Sequence, residues 1–156
     1  MATINGLGNA VKSGVPYNAS LQKTFILTNT IDLDALKVAD GDIIQALPVA
    51  PGMRIFLTEV EIVTPSDAAT SAAATVGDGD DGDGFDTNVD LKATAGSIAS
   101  TSLALTEGTP NTLVDAYAGV GKRYTSEDTI DITVAYNGAT TVYGKVIIRA
   151  YGVVMD

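Results

Sequence analysis

The densest group of chemically capable side chains is an acidic run in the middle of the chain. It places six carboxylates within thirteen residues, with no lysine or arginine among them: Asp78, Asp80, Asp81, Asp83, Asp86 and Asp90. Clustered oxygens of this kind suit hard cations such as calcium. Counted from Asp78, however, the EF-hand calcium loop would need glycine at Asp83 and a bidentate glutamate at Val89. We therefore predict a solvated acidic turn and no metal site, with an irregular, weak cation site as the alternative.

The same run contains glycines at the spacing of a dinucleotide-binding turn. Gly77, Gly79 and Gly82 satisfy the pattern GxGxxG after a strand-like piece. That turn works because backbone N–H groups and a helix N-terminus meet a pyrophosphate. Here aspartates lie inside the turn and no amphipathic helix follows, so the pattern predicts neither a nucleotide nor any other cofactor.

Composition removes most of the remaining catalytic chemistry. The chain has no His and no Cys, which are the commonest general base and the thiolate nucleophile. Glu59 and Glu61 share a strand face, but two acids on the wet side of a strand are ordinary. No GxSxG elbow exists, and Gly121-Lys122 lacks the earlier glycine of a phosphate-binding loop. We predict no catalytic residues and no enzyme.

Charge limits the partners. Nine Lys+Arg against nineteen Asp+Glu give a formal net charge of -10, and the cations are scattered along the chain. Such a protein repels a phosphate backbone, so nucleic acid is not an expected partner. No apolar stretch is long enough to span a bilayer, and the first residues lack the apolar block of a secretory signal. We expect no membrane contact and synthesis in the cytoplasm.

The elements that must position these residues read as β-strands. Strands are predicted over 21–33, 43–49 and 54–64, and in the last of these Phe56, Thr58, Val60 and Ile62 should share one face. Further strands are expected over 71–76, briefly near 89–91, 102–105 and 113–117, and over 130–136 and 140–154. Between the last two, Asn137-Gly138 predicts a hairpin turn. A short helical turn is expected after Asp34.

Seven or eight short strands in one chain of 156 residues indicate an all-β fold. We predict an antiparallel β-sandwich, jelly-roll-like, with a small barrel as the alternative. Residues 1–18, rich in Gly and Asn, form an extended N-terminal arm that either frays or orders against a neighbouring subunit. Residues 19–156 form the single sandwich domain.

Tyrosines crowd the last third of the chain. Tyr136 continues the apolar alternation of its strand and is predicted to lie in the core. On the last strand one face mixes aromatic, apolar and cationic side chains, which is typical of contact surfaces. We predict a subunit-contact face there, made of Tyr143, Lys145, Ile147, Arg149 and Tyr151.

The order of these segments resembles a family of small proteins of tailed bacteriophages. The resemblance covers roughly residues 39–154 and rests on the Pro51-Gly52 turn, the alternating strand over 56–63, the acidic loop over 76–85 and the late strand over 124–134. It implies a capsid decoration (cement) protein with a jelly-roll-like fold. Such subunits typically form a homotrimer on the outside of the shell.

The function that the resemblance implies is structural. The subunit would bind the major capsid protein on the exterior of the virion and reinforce the joints between its copies. The alternative is a head-fibre or tail-associated module that binds a host-surface glycan, because jelly rolls also host lectins. The absence of Trp weakens that alternative, since carbohydrate sites usually present an aromatic platform.

Overall fold

The computed structural model describes residues 1–5, 11–14, 23–68, 70–105, 113–137 and 143–155. Within these ranges the chain forms strands and turns, and no helix. The strands are β1 (Thr3–Asn5), β2 (Val11–Gly14), β3 (Lys23–Asp32), β4 (Ile43–Val49), β5 (Met53–Thr64), β6 (Ser71–Gly77), β7 (Asp86–Asp90), β8 (Ile98–Ser100), β9 (Lys122–Arg123), β10 (Asp128–Asn137) and β11 (Lys145–Val154).

The strands form two sheets that pack face to face. The five-stranded sheet has the order β1-β4-β10-β6-β7, and all its pairs are antiparallel except β1 with β4. The six-stranded sheet has the order β2-β3-β11-β5, with β8 and β9 both on the outer edge of β5. The predicted all-β, jelly-roll-like sandwich is therefore confirmed. No helix in the described ranges is long and apolar enough to cross a membrane.

The core lies between the sheets and is filled by alternate residues of the long strands. In β10 the inward side chains are Ile130, Ile132, Val134 and Tyr136, and all four are buried. In β11 the inward positions between Val146 and Ala150 are buried as well, while the positions between them are half-buried. The core position predicted for Tyr136 is confirmed.

The predicted hairpin between the last two long strands is wrong. β10 lies in the five-stranded sheet and pairs with β4 and β6, whereas β11 pairs with β3 and β5 in the other sheet. The connection after Asn137 therefore crosses from one layer to the other. Gly138 lies outside the described residues. A local Asn-Gly signal marks a reversal of the chain, but the choice of pairing partner depends on distant strands.

A β-bulge changes the alternation of β5. Leu57 pairs with Tyr151 but Ile55 pairs with Gly152, so Phe56 is the extra residue on β5. Thr58, Val60 and Ile62 point inward as predicted, while Phe56 is 42% exposed. Its predicted place on the inward face is wrong, because one inserted residue reverses the side on which the preceding side chains lie.

A second bulge joins the two layers at one point. Ala46 of β4 is the extra residue between the pairs that Leu47 and Gln45 make with β10. Its carbonyl oxygen accepts a hydrogen bond of 2.8 Å from Nδ2 of buried Asn29, which belongs to β3 in the other sheet. A buried polar side chain thus meets a carbonyl that the bulge diverts from the ladder.

The described parts of the N-terminal arm add a strand to each sheet. β1 pairs with β4 and β2 pairs with β3, so both edge strands at this side of the sandwich are partly covered. The amide of Ala2 donates to Oδ1 of Asp42 at 2.9 Å, and the Ile43 amide donates to the Ala2 carbonyl. Whether the arm behaves as a separate unit from the rest of the chain stays a prediction.

The region after β7 differs from the predicted strands. A strand over Asp86–Asp90 agrees with the prediction near 89–91, but neither 102–105 nor 113–117 forms one. There the chain makes a single bridge between Leu105 and Leu113, followed by turns through residue 120. The apolar residues of these pieces gave a strand-like composition without a facing strand to pair with. The turn expected after Asp34 is present, with the Leu36 amide bonded to the Asp32 carbonyl.

Candidate contact surface

The predicted subunit-contact face lies on the outer side of the six-stranded sheet. β11 is the central strand of that sheet, and Lys145, Ile147, Arg149 and Tyr151 alternate along its outward side. Tyr143 precedes the strand and is 52% exposed, whereas the other four are half-buried. The structure therefore places the four strand residues on one side of the sheet, with Tyr143 exposed just before the strand, and the contact of all five with another subunit stays a prediction.

The polar groups of this face are paired with acids of the flanking strands. Lys145 Nζ lies 3.1 Å from Oδ2 of Asp32 on β3. A guanidinium nitrogen of Arg149 lies 2.6 Å from Oε2 of Glu61 on β5, and this hydrogen bond raises the pKa of Arg149. The Tyr151 hydroxyl donates to Oε2 of Glu59 at 2.7 Å, which raises the pKa of Tyr151.

These pairs leave the face electrically balanced. The outward side chains of β3, β5 and β11 include three cations and three acids: Arg54, Lys145, Arg149, Asp32, Glu59 and Glu61. The chain as a whole carries a net charge of -10. The outer side of these three strands is therefore a neutral region on an acidic protein, and a neutral region costs less to bring against another acidic surface.

An apolar hollow opens at the Tyr151 end of the face, and the bulge at Phe56 forms one of its walls. Its volume is about 410 Å³, and it is lined by Thr24, Phe25, Ile26, Phe56, Tyr151, Gly152 and Val153. Ile26 and Phe56 are each 42% exposed at its rim. Of the polar lining groups, the Tyr151 hydroxyl is already bound to Glu59. The hollow is thus suited to apolar groups rather than to a charged ligand.

Exposed apolar side chains continue from this hollow across the end of the sheet. The guanidinium group of Arg54 lies 5.2 Å from the Phe56 ring centroid and donates to the Val120 carbonyl, which brings the turn before β9 against Phe56. Next to that turn, a Cβ on Gly119 would lie 3.5 Å from Leu103. We call the following set the apolar strip: Ile26, Phe56, Leu103, Leu105, Val114 and Val120, all at least 38% exposed.

The outer side of the other sheet has a different character. Among the described side chains of its strands, none is both large and apolar and highly exposed. The outward positions of β6 and β10 carry small or polar residues: Ser71, Ala73, Thr75, Asp131, Thr133, Ala135 and Asn137. Among the described strand residues, Ile26, Phe56 and Ile98 are the large apolar side chains that are at least 42% exposed, and all three lie on the outer side of the six-stranded sheet, which favours that side as an interaction surface.

The acidic run forms the loop between β6 and β7, and Asp78 organises it. The Asp78 carboxylate is buried and accepts hydrogen bonds from the amides of Asp80 and Asp81, each at 3.0 Å. It also accepts the hydroxyl groups of Tyr117 and Tyr124, each at 2.9 Å. Because Asp78 follows β6 and Tyr124 follows β9, which pairs with β5, the carboxylate joins the two sheets at this end of the sandwich.

Lys122 supplies the positive charge for this group. Its Nζ atom lies 2.5 Å from Asp80 and 3.7 Å from Asp78, and 5.1 Å from the centroid of the Tyr117 ring. Burial alone would lower the pKa of Lys122, but the hydrogen bonds to Asp80 and Tyr117 raise it above its usual value. Burial and the bond to Asp78 raise the pKa of Tyr117 to about 12. These shifts keep the amine charged and the hydroxyl protonated, which fits a structural role.

The other acids of the loop do not assemble a cation site. Within the described ranges, no group of three or more acidic side chains has an arrangement that could hold a metal ion. Asp83 has a raised pKa chiefly because of a hydrogen bond with Asp81, and burial raises that of Asp86. Asp78 and Asp86 are buried, so the run is less solvated than the predicted acidic turn.

Sequence reasoning missed both the Asp78 group and the apolar strip. Nothing in the spacing of Asp78, Tyr117, Lys122 and Tyr124 connects residues that lie up to 46 positions apart. The strip was missed because Leu103, Leu105 and Val120 lie outside the strands, where no alternation indicates which apolar side chains stay exposed. The absence of a matching strand pattern there was the one available signal.

The comparisons with known proteins concern the fold. No protein-family model matches the chain, and no curated protein matches its sequence. Among solved structures, the chain is similar to a chain of the cyanophage Pam1 capsid, with a TM-score of 0.63, 15% identity and coverage of 90% of this chain and 91% of that one. At this identity the likeness shows the fold.

Two further capsid structures share the fold over similar lengths. For a chain of the capsid of Ralstonia phage GP4, the TM-score is 0.58 at 17% identity, and 91% of this chain and 89% of that one are covered. For the acidic stable capsid of Helicobacter pylori bacteriophage KHP30, the TM-score is 0.57 at 12% identity, and the coverage is 94% and 95%. The likeness therefore spans the whole sandwich in each case rather than one motif.

Proposed function

We propose that this chain is a structural protein of a bacteriophage virion, a decoration subunit that binds the outside of the head shell. It binds across joints between copies of the major capsid protein, and it associates with itself as a homotrimer. It performs no catalysis and needs no cofactor. The observation that carries the proposal is the likeness of fold, over about nine-tenths of both chains, to chains of three phage capsids.

The two unlike outer sides of the sandwich support a role in assembly. One side presents the apolar strip and a neutral face, and the other presents small and polar residues to solvent. Monomeric soluble proteins rarely expose a large apolar area, whereas the subunit of an assembly buries such an area against its neighbours. Contacts of modest strength become durable when several linked copies engage one shell.

The charge of the chain supports a place on the exterior. A net charge of -10 opposes close approach to packaged DNA, which is itself densely negative. Glycan binding, the alternative function, has less support. The hollow presents Phe56 and Tyr151 as aromatic groups, but its polar side chains are limited to Thr24 and a tyrosine hydroxyl that already binds Glu59.

Binding to shells tests the proposal. Purified protein is mixed with empty shells assembled from the major capsid protein of the same phage, the shells are sedimented, and their surface is imaged by averaged electron cryomicroscopy. We expect many copies per shell, located outside, at sites of local threefold symmetry. A protein that stays strictly monomeric and does not sediment with shells contradicts the proposal.

A pair of variants locates the binding side. Ile98→Asp places a charge on the outer side of the six-stranded sheet, where Ile98 is 56% exposed on β8. Ala135→Asp is the matched control, because Ala135 is exposed on the outer side of β10. We expect the first variant to bind shells weakly and the second to bind as the wild type does. Equal binding by both would remove the six-stranded sheet as the contact side.

A further inference from the structure

Within the part of the chain that the structure describes, no apolar side chain fills the hollow at the Tyr151 end. Ile26 and Phe56 form its rim and Val153 part of its floor, and the side chains that line it carry no charge. The Tyr151 hydroxyl is held by Glu59 at 2.7 Å, so the polar tip of that ring is turned toward the acid. A concave, uncharged hollow with a volume of about 410 Å³ fits branched aliphatic side chains.

The same chain carries projecting side chains of the matching kind. Leu103 is 69% exposed, the highest value for any large apolar side chain within the described ranges after Met1, and Leu105 is 59% exposed. They stand on a segment held in place from both sides. The Thr58 amide donates to Oγ1 of Thr101 at 3.0 Å, and the Ser102 amide donates to Asp115 at 2.5 Å. The leucines are therefore presented by an anchored backbone.

The distribution of charge indicates which partner suits the hollow and the two leucines. Two copies of a chain with a net charge of -10 repel each other wherever their acidic regions meet. The outer side of β3, β5 and β11 carries three cations and three acids, so at this face the repulsion is locally cancelled. A second copy of the chain supplies uncharged leucine side chains, and its acidic regions are not repelled by this neutral face.

We propose that the hollow of one copy takes the Leu103 and Leu105 side chains of a second copy. The contact joins two different surfaces, and in the proposed homotrimer each copy uses its hollow toward one neighbour and its leucines toward the other. A contact between unlike surfaces closes into a ring when the rotation between copies permits, and otherwise continues as a chain. The inference deepens the self-association in the proposed function and rests on it, by naming the residues that meet.

Cysteine trapping tests the contact without background, because the chain contains no Cys. Ile26→Cys and Leu105→Cys are prepared as separate variants, mixed, and oxidised under mild conditions. We expect a disulfide-linked dimer from the mixture, and linked rings or ladders from a variant that carries both changes. Each single variant alone should stay unlinked, because the contact does not bring two copies of the same position together.

Two controls make each outcome decisive. Thr30→Cys lies on the outer side of the same strand as Ile26, outside the hollow, and should not link to Leu105→Cys. Ile26→Glu puts a carboxylate into the hollow and should reduce the mass measured by light scattering to that of one chain, while Thr30→Glu should not. Linkage within either single variant, or none in the mixture, overturns the inference.

The outcome also separates this inference from the proposed function. If the wild-type protein binds shells but the mixture of the Ile26→Cys and Leu105→Cys variants gives no disulfide, the proposed function stands and this contact is ruled out. If the mixture gives the disulfide but the wild-type protein does not bind shells, this contact stands and the proposed function is ruled out.

Discussion

Asp78 offers the sharpest test of how the two sheets are joined. Asp78→Ala removes an acceptor that serves two backbone amides and the hydroxyl groups of Tyr117 and Tyr124. The Tyr124 ring is buried, so its hydroxyl would lose its partner without gaining water. Lys122 would keep its contact with Asp80 at 2.5 Å, so its charge would stay compensated.

The size of the effect follows from the number and kind of these bonds. A hydrogen bond to a charged acceptor contributes about 1.5–3 kcal/mol, and contributions within one network do not add fully. Each buried donor that is left without its partner costs about 1–3 kcal/mol, and Asp78→Ala leaves several. We therefore expect the free energy of unfolding to fall by about 3–5 kcal/mol. For a chain of this length that corresponds to a drop in Tm of about 6–20 °C.

Urea and thermal unfolding measure this change. Tyrosine emission and circular dichroism are suitable signals, because the chain has six Tyr and no Trp. Asp80→Ala is the matched control, since the Asp80 side chain is 76% exposed and its ion pair should contribute less than about 1 kcal/mol. If the two variants lose the same amount of stability, Asp78 does not join the sheets in the way described.

Three further predictions concern single positions. Burial raises the pKa of Asp131 to about 6, so this carboxyl should make the protein more stable as the pH falls from 7 to about 4. Asp131→Asn should reduce that increase and, after allowance for partial exposure, add about 1 kcal/mol at pH 7, as pH-dependent unfolding would measure. Gly77→Ala should lose about 1–3 kcal/mol because its Cβ would lie 2.0 Å from a backbone oxygen of the acidic loop, whereas Gly82→Ala, with nothing within 4 Å, should keep the wild-type Tm. Asp42→Ala should release the first strand, seen as faster hydrogen exchange at the Ile43 amide; unchanged exchange would contradict the anchoring role of the carboxylate.

The sequence predicted the regular parts of this fold well. β4, β5 and β10 agree with their predicted ranges to within about two residues, because alternation over many positions is set by the burial of one face. The sandwich followed from the number of such strands and the turn residues between them. The position of Tyr136 followed from the same alternation and needed no knowledge of its neighbours.

The parts that failed depend on interactions between distant segments. The bulge at Phe56 is defined only by its pairing with β11, and the side of the strand on which Phe56 lies changes with it. β10 pairs with β4 and β6, although the local Asn-Gly signal predicts a hairpin with the strand that follows it. The Asp78 group and the apolar strip unite residues from separate turns, for which a single sequence contains no periodic signal.

The Asp78 group has a consequence for the surroundings in which this fold is stable. Many small extracellular β-proteins lock their layers with a disulfide, which requires an oxidant and is lost to a reductant. This chain has no Cys, and one end of its sandwich is held by a carboxylate, two phenols and an amine. This hydrogen-bonded link forms as the chain folds, and it does not depend on the redox state of the surroundings.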